Sequence, residues 1–158
     1  GEYCTAAVGE VNVTTKMREC GAVIGGEGNG GVIYPALHYG RDAIVGVALF
    51  LTNLAYKKVK VSELRASYPE YVIAKNKIEL SDNALIDSIL EAVEIKYAAE
   101  DINTIDGVKI SFEERKEWVH LRRSNTEPII RIYAEAATAE AADALAQQII
   151  DIADTIIK

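Results

Sequence analysis

Little in this sequence builds disulfide, metal or membrane chemistry. Cys4 and Cys20 are its only cysteines. They stand far apart along the chain in no metal-ligand spacing, so they read as ordinary reduced thiols and the chain as cytoplasmic. His38 and His120 are the only histidines; neither has a metal-like partner, and both read as structural side chains. No apolar run reaches membrane-spanning length and no signal peptide heads the chain. Cations are outnumbered, 17 Lys and Arg against 24 Asp and Glu, for a formal charge of −7. That excludes a broad electrostatic grip on nucleic acid, although a local cluster of cations still suits a small anion. Met17 is the sole methionine and the chain opens Gly1-Glu2-Tyr3, which reads as a piece excised from a longer protein.

What is present is an ordinary globular composition: 158 residues, 49% hydrophobic and 26% charged, enough for one medium domain or two small ones. The first third alternates short apolar runs, glycines and helical patterns, an α/β signature. A helix is expected from a cap at Asn12 to Cys20, with Gly21 as its stop. Ala22 to Ile24 and Gly31 to Tyr34 read as strands around a glycine-rich turn. A helix from Asp42 to Tyr56 follows, apolar on more than one side and so expected to lie buried between layers. A connector over residues 61–71 contains a short helix capped by Ser62 that stops before Pro69.

A second unit then begins. Val72 to Leu80 reads as a strand. Ser81 or Asp82 caps a helix carrying Leu85, Ile89 and Val93 on one face. Ile102 to Ile105 and Val108 to Phe112 flank Asp106-Gly107, a strong hairpin signal. Glu117 to Arg122 and Ile129 to Glu135 are two further strands, and Thr138 caps a last helix striped by Leu145, Ile149, Ile152 and Ile156. The expected architecture is α/β over residues 1–60, the connector at 61–71, and over 72–158 an α+β unit, a small antiparallel sheet backed by two helices.

Two loops carry chemistry. Gly25-Gly26-Glu27-Gly28-Asn29-Gly30-Gly31 places one carboxylate and one amide among glycines that let backbone approach a ligand. A carboxylate beside an amide suits hydroxyl groups, since it accepts several hydrogen bonds at once. A phosphate loop is a poor reading, because no lysine follows and the carboxylate repels phosphate. From composition alone, a tight turn with an incidental Glu reads equally well. The second loop, Arg122-Arg123-Ser124-Asn125-Thr126-Glu127-Pro128 with Arg131 just beyond, joins two strands. Guanidinium groups, hydroxyls, an amide and backbone N–H groups converge there, which favours anion binding over a turn with solvated arginines.

Together the loops resemble the phosphohexomutase family. Its third domain carries a sugar loop Gly-Glu-x-Ser-Gly, here Gly26-Glu27-Gly28-Asn29-Gly30, and its fourth a phosphate loop Arg-x-Ser-Gly/Asn-Thr-Glu/Thr-Pro, here Arg122 to Pro128. Val8 to Val13 and His38 to Asp42 are also similar to family sequence. The resemblance implies part of a third domain followed by a C-terminal fourth domain. It implies a phosphosugar substrate, with Glu27 and Asn29 on the ring hydroxyls and Arg122, Ser124, Asn125, Thr126 and Arg131 on the phosphate that is not transferred. The phosphoserine and the Mg²⁺ ligands of the family belong to earlier domains, so this chain alone is expected to be inactive, to hold no catalytic or metal residue, and to have those domains as its partners. A truncated sheet edge is expected to promote self-association. Many members carry Ser at Asn29 and His at Gly31, and some carry His near Glu10. A proton relay at Glu10 and a solvated carboxylate are both open, the second being the plainer. The wording is closest to members acting on glucosamine phosphate. The competing reading is a stand-alone module that binds sugar phosphates or other anions without chemistry.

Overall fold

The computed structural model describes every residue except Ser81, Asn83, Asn125, Thr126 and Lys158. The chain forms two units, Gly1–Pro69 and Glu70–Lys158.

In the first unit, α1 spans Glu10–Cys20. It starts before Asn12 because Gly9 adopts φ 119° and its carbonyl accepts the Val13 N–H at 3.0 Å. Asn12 is therefore not the cap; its amide donates to the Val8 carbonyl at 2.9 Å. Gly21 ends the helix in the left-handed conformation, as expected. The Ala22 N–H bonds back to the Met17 carbonyl at 3.0 Å. That bond draws Ala22 into the helix terminus, so Ala22 to Ile24 is not a strand. The hairpin forms instead from β1 (Gly25–Gly26) and β2 (Val32–Ile33), paired antiparallel with Gly25 opposite Ile33. Cys4 and Cys20, distant in sequence, are neighbours in space: a hydrogen bond to the Cys20 thiol, then burial, raises the Cys4 pKa.

Helix α2 (Ala43–Lys57) is capped by Asp42, whose carboxylate accepts the Val45 N–H at 3.0 Å. Contrary to expectation, none of its residues is buried, and Ile44 is 83% exposed. The apolar sides read as a buried helix are uncovered in this chain. In α3 (Val61–Ala66) the cap is not Ser62. The Lys60 N–H donates to the Glu63 carboxylate at 2.8 Å, which closes the first turn two residues earlier.

The second unit is a five-stranded antiparallel sheet in the order β3-β7-β6-β5-β4. Its strands are β3 (Val72–Glu79), β4 (Asp101–Asn103), β5 (Val108–Phe112), β6 (Glu117–Arg123) and β7 (Ile129–Ala136). Helices α4 (Ala84–Lys96) and α5 (Ala139–Ile157) back it. Alternation along the strands sends Val108, Ile110, Val119, Leu121, Ile130 and Ile132 into a core shared with Ile86, Ile89, Val93, Leu145 and Ile149. Each such side chain contributes about 1.5–3 kcal/mol. Thr138 caps α5 through the Ala141 N–H at 3.2 Å. Asp82 accepts the Ala84 N–H at 2.9 Å ahead of α4, while Ser81 lies outside the described residues. β4 is shorter than the expected Ile102 to Ile105. The Asn103 side chain accepts the Ile105 N–H at 2.9 Å, an Asx turn that takes the backbone out of the ladder. No helix among the described residues is long and apolar enough to cross a membrane.

Candidate functional site

The glycine loop is held by its own backbone. The Glu27 N–H bonds to the Gly31 carbonyl and the Gly30 N–H to the Glu27 carbonyl, both at 3.1 Å. Gly26 is required by contact: a Cβ there would lie 2.2 Å from the Gly31 carbonyl oxygen. The Asn29 side-chain oxygen Oδ1 accepts the Gly31 N–H at 3.0 Å. The half-buried Glu27 carboxylate reaches across to the start of α1, where Oε2 accepts the Gly9 N–H at 3.3 Å. Glu27 and Asn29 thus share one turn, each with one oxygen engaged in shaping it.

The end of β2 brings further charge to this loop. The Asp42 N–H bonds to the Val32 carbonyl at 2.8 Å, and Arg41 pairs with Ile33. From there Arg41 Nε donates to Glu10 Oε2 at 2.7 Å. Glu10, in the first turn of α1, is therefore one partner of an ion pair, and its side chain stays 37% exposed. A Cβ on Gly31 would approach Arg41 Cδ to 2.8 Å, so the small residue at Gly31 leaves room for the Arg41 stem. The sequence assigned Arg41 no role, because nothing local links it to Glu10. His38 pairs with Asp42 at 3.1 Å, and the Val45 N–H followed by His38 holds the Asp42 carboxyl below its ordinary pKa.

In the second unit, β6 and β7 position the arginine loop. The Ser124 N–H bonds to the Ile129 carbonyl at 3.0 Å, and the Leu80 N–H ties the Pro128 carbonyl to the end of β3 at 3.0 Å. Register sets Arg122 directly opposite Arg131, and Arg131 directly opposite Lys77 on β3. All three are on the face of the sheet opposite the buried Leu121, Ile130 and Ile78, since side chains alternate between faces. Like charges directly opposite one another are destabilising, so this row calls for counter-charge. Lys77 is braced by Glu79 at 2.7 Å.

Arg122 has a partner that the sequence did not signal. Its Nε donates to Asp106, 3.2 Å from Oδ1 and 3.1 Å from Oδ2. Asp106 lies on the connection between β4 and β5, whose Asp-Gly pair was legible only as a turn. His120 Nε2 meets the Asp106 carbonyl. Arg122, Ser124 and Arg131 thus gather at one end of the β6–β7 pair, whereas Asn125 and Thr126 lie outside the described residues. Among the described residues no three His, Cys, Asp or Glu side chains are grouped to hold a metal ion.

Residues 1–71 match the phosphoglucomutase/phosphomannomutase α/β/α domain III, and residues 57–152 match the phosphoglucomutase/phosphomannomutase C-terminal domain. The chain belongs to this family. A probable phosphoglucosamine mutase of Methanopyrus kandleri is 36% identical over 96% of the chain and 33% of the relative. A phosphoglucosamine/phosphogalactosamine mutase of Sulfurisphaera tokodaii is 36% identical over 90% of the chain and 31% of the relative. The crystal structure of a phosphoglucomutase/phosphomannomutase family protein from Burkholderia thailandensis aligns with a TM-score of 0.69 at 28% identity, covering 92% of this chain and 31% of that one. The chain spans about a third of the length of these relatives.

Proposed function

We propose that this phosphohexomutase chain is the substrate-gripping portion of an enzyme that interconverts hexose or hexosamine 1- and 6-phosphates. Glu27 and Asn29 accept and donate hydrogen bonds to ring hydroxyls. Arg122, Ser124, Asn125, Thr126 and Arg131 hold the phosphate that stays in place. Residues 1–60 serve as the end of the sugar-binding domain, 61–71 as its connector and 72–158 as the phosphate-binding domain. The phosphoserine that exchanges the phosphoryl group, and the Mg²⁺ that would stabilise its charge, belong to other domains of a longer cytoplasmic protein. The chain alone binds without transferring. A mutase must hold its sugar in two orientations, and one fixed phosphate anchor serves both. The anchor contributes positioning and binding energy, and no bond breaks there.

The observation that carries this reading is the Arg122–Arg131 pair, set opposite each other beside the Ser124 turn in a chain that matches both family domains. In the full-length protein, Arg122→Ala is expected to raise KM by the equivalent of about 2–4 kcal/mol, as for a desolvated charge pair. kcat is expected to fall less, because the anchor acts in ground and transition states alike. Titration of the chain with a sugar phosphate should move NMR signals across Arg122 to Arg131. An unchanged KM, or shifts elsewhere with none there, removes the assignment. Relatives named for glucosamine phosphate favour a hexosamine phosphate as the substrate.

A further inference from the structure

The Asp106-Gly107 turn is built onto β6 more firmly than a connection requires. Gly107 has φ 76°, and a Cβ on it would lie 2.1 Å from the Leu121 carbonyl oxygen, so the turn rests directly on the strand backbone. His120, on the same strand, bonds to the Asp106 carbonyl. Between these anchors the Asp106 carboxylate meets Arg122 Nε, with both side chains only about a quarter exposed, 25% for Arg122 and 26% for Asp106.

We infer that Asp106 is a positioning residue for substrate, fixing the Arg122 guanidinium so that its terminal NH₂ groups face the anchored phosphate. The inference rests on the phosphate-anchor reading above. Guanidinium presents its donors in a planar fork, and bidentate pairing with phosphate needs that plane fixed. With Nε spent on Asp106, rotation about the end of the side chain is arrested and both terminal nitrogens remain for phosphate oxygens. A long side chain held beforehand loses less freedom on binding. Electrostatics argues against the carboxylate as a direct ligand, because it repels phosphate. Its contact with Arg122 Nε gives it a role through that side chain instead. Lys in place of Arg122 could not use it in this way, having no Nε–H and no plane.

The test is a double-mutant cycle in the full-length protein, with KM for the phosphosugar as readout and Tm recorded for each variant. Asp106→Ala should raise KM about tenfold, the size of one charge-assisted hydrogen bond, with a smaller change in kcat. Asp106→Asn should recover much of the loss, since the amide oxygen still accepts from Nε. In an Arg122→Ala background, Asp106→Ala should raise KM no further, because the residue it orients has gone. Inorganic phosphate titrated into the chain and followed by NMR at Arg122 gives an independent affinity, weakened in Asp106→Ala. A purely structural Asp106 would lower Tm and add its effect on KM to that of Arg122→Ala; that additivity overturns the inference. So does an unchanged or lower KM in Asp106→Ala while Arg122→Ala raises it, and this outcome leaves the phosphate anchor standing. An unchanged KM in Arg122→Ala removes the anchor and the inference with it.

Discussion

In the proposed function Glu27 serves two demands with one carboxylate. Oε2 holds the Gly9 N–H at the entry to α1, and the proposed sugar hydroxyl asks for a charged acceptor beside it. Glu27→Gln separates the two. The glutamine oxygen still accepts from Gly9, so the turn persists, but charge-assisted acceptance is lost, roughly 1.5–3 kcal/mol per bond. Turnover by the full-length variant should fall while its circular dichroism and Tm stay near the parent's. Parent-like kinetics would make Glu27 a turn residue. Residues such as Glu27 and Arg122 were legible because their types cluster within a few positions. Asp106 and Arg41 were not, because their roles depend on pairing with residues distant in sequence, Arg122 and Glu10.

Among the elements, the second unit followed its pattern closely. Alternation through β5 and from Ile130 onward in β7, and the stripe on α5, report which face meets the core. In the first unit local hydrogen bonds overrode pattern: Ala22 was captured by the end of α1 and Gly9 opened that helix early. The cap of α2 was legible from Asp42 itself, and it yields a pH prediction. The Val45 N–H, and then His38, favour the charged carboxylate, so its pKa is depressed in the fold. Such a group contributes stability above the ordinary carboxylate pKa and loses it as pH falls through the depressed value. Asp42→Ala should therefore lower the melting temperature at neutral pH, and the gap from the parent should close in acid. Melts recorded across the acid range check this; a constant gap would show that the charge contributes nothing.

Across the whole molecule, apolar surface is unevenly covered. The second unit closes its core, while α2 in the first leaves Ile44, Val47 and Leu51 at 83%, 57% and 54% exposure. Self-association of the isolated chain was expected from a sheet edge, but the only sheet in that unit has two-residue strands. If the isolated chain associates, the helix face is the better candidate surface, since exposed apolar patches favour association. Light scattering should show mass rising with concentration, and Val47→Lys should reduce it; a monomer at every concentration would refute this. The row of Lys77, Arg131 and Arg122 has a different consequence. An acidic chain that sets three cations abreast on adjacent strands offsets them in part with Glu79 on Lys77 and Asp106 on Arg122. If the row anchors a phosphate as proposed, a bound anion completes that compensation, and occupancy and resistance to unfolding should rise together.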